Sequence, residues 1–221
     1  MGESAHAFNY TTLNMADNNN TEVVLLGHSF IRRLCAFMNK FAGFKNLRLN
    51  QWLINVVCRA KGGLTIPRLI HERPDLFTFN FNGDSRSIVY LQLGGNDLSS
   101  SSGVDVAKEV FSFANFLHHS LHCKVVIIGQ LLWRDPSKSH RVDQDYNNRV
   151  VAANTTLLNY CNNMEACPNV IFWRHHGFWQ DLSFICDDGV HLNDDGMEKY
   201  FRSVRSAVLH AQRLLGNIYS S

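Results

Sequence analysis

The chain has 221 residues, 45% of them hydrophobic and 18% charged, with 21 Lys and Arg against 19 Asp and Glu and a formal net charge of +2. That length and balance fit one globular domain with a developed core, and so small a net charge gives no field drawing the chain to nucleic acid or anionic lipid. No apolar run approaches the ~18 residues of a membrane helix, and the first twenty residues hold no Lys, no Arg and no apolar block, which argues against a signal peptide.

Residues 1–20 are polar, Asn-rich and aperiodic, and read as a flexible tail ahead of one domain over 21–217. A β-branched run at 22–27 (EVVLLG) predicts the first strand, and helical spacing follows over 30–41. Further strands are predicted at 52–58 (WLINVVC), 88–93 (IVYLQL), 124–129 (KVVIIG) and 169–174 (NVIFWR), with helices over 65–77, 104–121, 143–163 and 193–216. Continuously apolar strands are buried on both faces, so five of them alternating with helices predict an α/β class, a parallel five-stranded sheet between two helical layers. The six cysteines lie in apolar context and are expected to be reduced core residues of a cytoplasmic protein. The sequons at Asn9, Asn19 and Asn154 are read as chance matches.

In such sheets the ligand lies beyond the carboxyl ends of the strands. The first strand ends in Gly27-His28-Ser29. Ser29 by itself reads most simply as an N-cap of the next helix, and whether His28 or a distant residue would serve as its base stays open at this point. After the second strand comes Lys61-Gly62-Gly63-Leu64-Thr65, a glycine pair whose free backbone N–H is a candidate donor. The third strand ends in Gly94-Gly95-Asn96-Asp97, where Asn96 offers an amide donor that does not titrate and Asp97 reads as a structural turn or cap residue. Before the last helix stands Asp188-Gly189-Val190-His191, a spacing that lets a carboxylate hold an imidazole in one tautomer. Together these loops supply nucleophile, oxyanion donors, orienting acid and base.

The four blocks GHS, KGGLT, LGGND and DDGVH, in this order, resemble those of the SGNH hydrolases, also called GDSL-type esterases, from Val23 to the last helix. The resemblance implies a flavodoxin-like three-layer sandwich and metal-free, cofactor-free hydrolysis of small-acyl or lipid carboxylic esters. By the same resemblance Ser29 is the nucleophile, His191 the base and Asp188 its partner, and Ser29, Gly63 and Asn96 form the oxyanion hole. Gly62 is the alternative to Gly63. The family usually has Asp where this chain has His28. GHSFIRRL with LGGNDL is further similar to esterase domains of LINE-type retrotransposon proteins.

The expected partner is therefore a small ester substrate. The alternative is a binding module that keeps the fold without efficient chemistry, associated with nucleic acid through a retrotransposon-derived protein. The basic residues Arg32, Arg33, Lys40, Lys45 and Arg48 are explained by a solvated face. Trp133, Phe178 and Trp179 are candidates for a substrate pocket, with core packing as the competing reading. His118 and His122 have the i,i+4 spacing of a zinc pair but lack carboxylate context, so no metal is expected.

Overall fold

Five strands form one parallel sheet in the computed structural model, which describes residues 20–79, 81, 86–139, 143–163, 169–178 and 180–218. They are β1 (Thr21–Gly27), β2 (Ile54–Ala60), β3 (Ser87–Gln92), β4 (Val125–Gly129) and β5 (Val170–Trp173), in the order β2-β1-β3-β4-β5. The helices are α1 (Ser29–Lys40), α2 (Ile66–Glu72), α3 (Gly103–His119), α4 (Tyr146–Asn163) and α5 (Asp194–Ile218). The sandwich expected from the apolar runs is the one that forms.

Strand order dictates which helix lies where. The chain steps outward from β1 to β2 and then crosses back over β1 to β3, so direction reverses. Right-handed crossovers then put α1 on one face and α2, α3 and α4 on the other. Side chains alternate accordingly. Val24, Leu26, Val89, Leu91, Val126 and Ile128 pack under α2, α3 and α4, whereas Val23, Leu25, Ile88, Tyr90, Val125 and Ile127 pack under α1 and α5. Burying one such aliphatic side chain contributes roughly 1.5–3 kcal/mol. The reversal opens a crevice between the carboxyl ends of β1 and β3.

Two elements depart from expectation for identifiable reasons. β2 begins at Ile54 rather than at residue 52, because Trp52, 81% exposed, belongs to a turn before an edge strand. α2 stops at Glu72 and gives way to a single 3-10 turn at Pro74–Leu76, since proline lacks the N–H and clashes with the preceding turn. The cysteine expectation needs correction: Cys35 on α1 and Cys58 on β2 form a disulfide, their Cα atoms 6.5 Å apart and within bridging range. Two isolated cysteines with no motif spacing carry no sign that a helix and its neighbouring strand will bring them together. Cys123, Cys161 and Cys186 are free thiols.

Residues 1–19, Cys167 and Trp179 lie outside the described residues. Among the described residues no helix is long and apolar enough to cross a membrane.

Candidate active site

The first loop begins where β1 runs out. A Cβ on Gly27 would lie 2.4 Å from the Gln92 carbonyl oxygen, so only glycine lets β1 and β3 approach so closely at this end. His28 N–H then donates to that carbonyl (3.2 Å), and Lys61 N–H donates to Gly27 O (3.2 Å), which ties the first two loops together. Contrary to the simplest reading of Ser29, the N-cap of α1 is His28, whose Nδ1 accepts from Phe30 N–H at 3.4 Å. Ser29 is the first helical residue and is 8% exposed. Its hydroxyl is free of capping, and its N–H sits at the positive end of the helix. Burial, with the charges of Arg134 and His191 adding to it, lowers the His28 pKa to about 3, so His28 is neutral. With Nδ1 accepting, Nε2 carries its proton.

The candidate acid–base pair, Asp188 and His191, is built by one tight turn. Asp188 Oδ1 accepts from the N–H groups of Val190 (2.9 Å) and His191 (2.8 Å), and Oδ2 lies 2.7 Å from His191 Nδ1. Gly189, at φ +69°, supplies the left-handed residue the turn needs. Burial by itself would raise the Asp188 pKa. The hydrogen bonds from His191 and Val190 outweigh it and hold the carboxyl at about 2. An ionised Asp188 places the imidazole proton on Nδ1 and leaves Nε2 with its lone pair. The His191 ring lies 6.1 Å from that of Phe30, beside the turn that carries Ser29. Among the described residues the Ser29 hydroxyl makes no hydrogen bond, to His191 or otherwise; such contacts are often long before substrate binds.

Two hydrogen bonds zip the Gly63 loop to the Asn96 loop. Asn96 Nδ2 donates to Leu64 O (2.9 Å), and Ile66 N–H donates to Asp97 Oδ1 (2.9 Å). Gly63 sits at φ +68°, open to glycine at little cost. Asp97 makes a structural bond, its Oδ1 taking the first N–H of α2 across the crevice, while Thr65 is the N-cap of that helix. Burial pushes the Asp97 carboxyl pKa up.

Beneath the crevice lies a polar network with every proton accounted for. Trp173 Nε1–H donates to Ser203 Oγ (3.1 Å), which donates to His175 Nδ1 (2.7 Å). His175 Nε2–H then reaches the Tyr90 oxygen (3.0 Å), and the Tyr90 and Tyr200 hydroxyls both donate to Gln92 Oε1 (3.0 and 2.9 Å). Desolvation, with a smaller contribution from His176, lowers the His175 pKa to about 3, so this histidine is neutral. The network pins α5, which follows His191, to the end of β3, which leads to Asn96.

Three residues near these loops carried no functional reading in the sequence. Arg33 lies 3.6 Å from Asp188 Oδ2; its one signal is the i,i+4 spacing from Ser29 on α1. Arg134 and Tyr146 hold Gly95 and Asn96, and no spacing marks them. A cavity of about 260 Å³ lined by Lys138, Ser139, Asp188, Val190 and His191 opens beside the acid–base pair.

Two of the three aromatic pocket candidates, Phe178 and Trp133, do not line this cavity. Phe178 is 4% exposed and packs in the core against His175, Phe184 and the Lys199 chain, so it lines no part of this cavity. Trp133 packs against the core on the α2–α4 face. His118 Nδ1 is 2.7 Å from Cys123 O, and among the described residues no three His, Cys, Asp or Glu side chains converge as a metal site would require.

Residues 26–204 match the family model described as GDSL-like Lipase/Acylhydrolase. No curated protein sequence matches the chain. Among solved structures, a carbohydrate esterase family 3 protein from Talaromyces cellulolyticus superposes with a TM-score of 0.63 at 16% identity, covering 89% of this chain and 99% of that one. A serine-to-alanine mutant of an acetyl esterase, solved with an acetate ion, gives 0.62 at 14% identity over 90% and 99% of the two chains. A GDSL-like lipase from Bacteroides thetaiotaomicron gives 0.61 at 14% identity over 88% and 90%.

Proposed function

The chain belongs to the GDSL-like lipase/acylhydrolase family of carboxylic ester hydrolases, and on that premise we propose that it cleaves esters by acyl transfer through Ser29, His191 and Asp188. The observation that carries this reading is the 2.7 Å hydrogen bond between Asp188 Oδ2 and His191 Nδ1. It leaves Nε2 as the only imidazole nitrogen able to accept a proton, beside the helix turn that begins at Ser29.

In the first step Nε2 takes the Ser29 proton as Oγ attacks the ester carbonyl, and Asp188 stabilises the imidazolium that forms. The imidazolium returns its proton to the departing alkoxide, releasing alcohol and leaving an acyl-serine. Water, deprotonated by the same Nε2, attacks the acyl carbon; the bond to Ser29 Oγ breaks, Oγ takes the proton back from the imidazolium, and the carboxylic acid leaves. Negative charge gathers on the carbonyl oxygen in both steps. The donors assigned to it are Ser29 N–H, Gly63 N–H and the second proton of Asn96 Nδ2, the first being committed to Leu64 O.

Small acyl groups, acetate above all, are the substrates assigned here. One structural neighbour is an acetyl esterase with acetate bound. The test is stoichiometric labelling by a fluorophosphonate probe, expected for wild type and absent in Ser29→Ala, together with turnover of p-nitrophenyl esters that falls with acyl length. Wild type that neither labels nor turns over any ester is a binding module instead.

A further inference from the structure

Arg134 follows β4, is 8% exposed, and points its guanidinium under the Asn96 loop. Its Nη2 donates to Gly95 O (2.8 Å) and Asn96 Oδ1 (3.2 Å), and Nη1 reaches Ser99 Oγ (3.4 Å). Its plane lies 4.2 Å from the centre of the Tyr146 ring, and the Tyr146 hydroxyl donates to the same Gly95 carbonyl (2.9 Å). Asn147 grips the Arg134 backbone from both sides, accepting from its N–H (3.0 Å) and donating to its carbonyl (2.9 Å). Among the described residues no carboxylate forms an ion pair with this guanidinium.

A buried charge without a counter-ion costs several kcal/mol and persists only where its surroundings hold it. Here the surroundings are one stacked ring, the Ser99 hydroxyl and, at the shortest distances, Gly95 and Asn96, so the charge sits behind the candidate oxyanion donor. A primary amide left to itself presents its oxygen or its nitrogen with similar ease. Arg134 removes that choice: the oxygen faces the guanidinium, one Nδ2 proton is taken by Leu64 O, and the other is left for the crevice. A flipped amide would turn an oxygen toward a developing oxyanion and repel it. The positive charge one amide away also polarises the N–H bond, and at low dielectric that field acts without touching substrate.

We propose, resting on the hydrolase reading above, that Arg134 is the positioning residue of the oxyanion hole, fixing the Asn96 amide and holding an uncompensated positive charge behind it. Tyr146 keeps the guanidinium in plane. Arg134 acts through Asn96, so its effect disappears when Asn96 is gone.

The experiment is a double-mutant cycle: Arg134→Met and Arg134→Lys, each in wild type and in Asn96→Ala, measured for kcat and KM on p-nitrophenyl acetate and for Tm. Arg134→Met is expected to lower kcat about 10- to 100-fold, the worth of a hydrogen bond to a charged group, with KM within about twofold. Arg134→Lys, which keeps the charge and loses the fork, recovers part of that loss. In Asn96→Ala the same changes alter kcat by less than about threefold. Should Arg134→Met fail to fold, the cycle run with Arg134→Lys carries the same expectation. Wild-type kcat in a folded Arg134 variant, or an equal loss in both backgrounds, overturns the inference alone. An inert wild type overturns the hydrolase reading first.

Discussion

His28 and Ser29 divide the start of α1 between them: Nδ1 of His28 caps the helix at Phe30 N–H (3.4 Å), and Ser29 takes the first helical position with its hydroxyl uncommitted. A histidine spent as a cap, buried and neutral, is in no position to serve its neighbour as base. His28→Ala is therefore expected to lower stability by about 1–2 kcal/mol while ester hydrolysis stays measurable. His191→Ala abolishes it. Urea unfolding and initial rates on the two variants check this, and the opposite pattern of activities would make His28 the base.

Asp188 is the residue on which the tautomer of His191 depends. Asp188→Asn keeps the shape but can place an NH₂ against Nδ1, forcing the ring proton onto Nε2 and removing the base. The expected fall in kcat is on the order of 10³–10⁴ with little change in KM. Arg33, 3.6 Å from the same carboxylate and part-exposed, serves as the contrast. Exposed ion pairs are worth about 0–1 kcal/mol, so Arg33→Met should cost about fivefold or less. Equal losses in the two variants would shift the weight from tautomer control to general electrostatics.

Asn96 links two loops and is also the proposed oxyanion donor, and the two roles separate by substitution. Asn96→Ala is expected to reduce kcat by about 10²–10³ and, through loss of the bond to Leu64 O, to reduce stability by about 1 kcal/mol. Asn96→Asp should be slower still, because a carboxylate would then meet the developing oxyanion. Asp variant rates at or above those of the Ala variant would remove Asn96 from the oxyanion hole.

How much of this was legible in sequence follows from which forces are local. The buried strands declared themselves as unbroken apolar runs, and the site loops could be located because chemistry in such sheets lies where the strands end. The helix predicted over 65–77 is too long, because helical spacing runs past Pro74 while the proline ends α2 at Glu72. The edge strand misled, since Trp52 and Leu53 extend the apolar run into a turn where nothing covers them. Arg134, Tyr146 and the His175 network were invisible for another reason. Their roles depend on contacts such as Arg134 with Gly95 and Tyr90 with His175, 39 and 85 residues apart in the chain, and no local spacing encodes that.

The Cys35–Cys58 bridge is a covalent tie between α1 and the edge strand, with a sequence separation of 23 residues. Closing a loop of that size restricts the unfolded chain by about 3 kcal/mol. Reducing agent is expected to lower the Tm of wild type and to leave that of the Cys35→Ala/Cys58→Ala double variant unchanged. A wild-type Tm insensitive to reductant would mean the two thiols do not bridge in solution.

His28 and His175 are both buried and neutral, each lowered from 6.5 to about 3. An unfolded chain protonates both near its ordinary histidine value, whereas the folded chain does not, so the unfolded state binds more protons in this range. The stabilising contribution is complete above about 6.5 and is lost as the pH falls toward about 3. Each group adds a slope approaching about 1.4 kcal/mol per pH unit. Asp188, held at about 2, adds loss in the same direction only once the pH passes below 3.8. Unfolding free energies measured by urea from about pH 7 to pH 4 should therefore fall steeply for wild type and less steeply for His175→Gln, which has one fewer proton to take up. Gln substitution also disturbs the Ser203 and Tyr90 hydrogen bonds, which lowers the whole curve, so the slope and not the height is the readout. Parallel curves for the two proteins would show that His175 takes up its proton in the folded state as well, with Nδ1–H then donating to Ser203 Oγ instead of accepting from it.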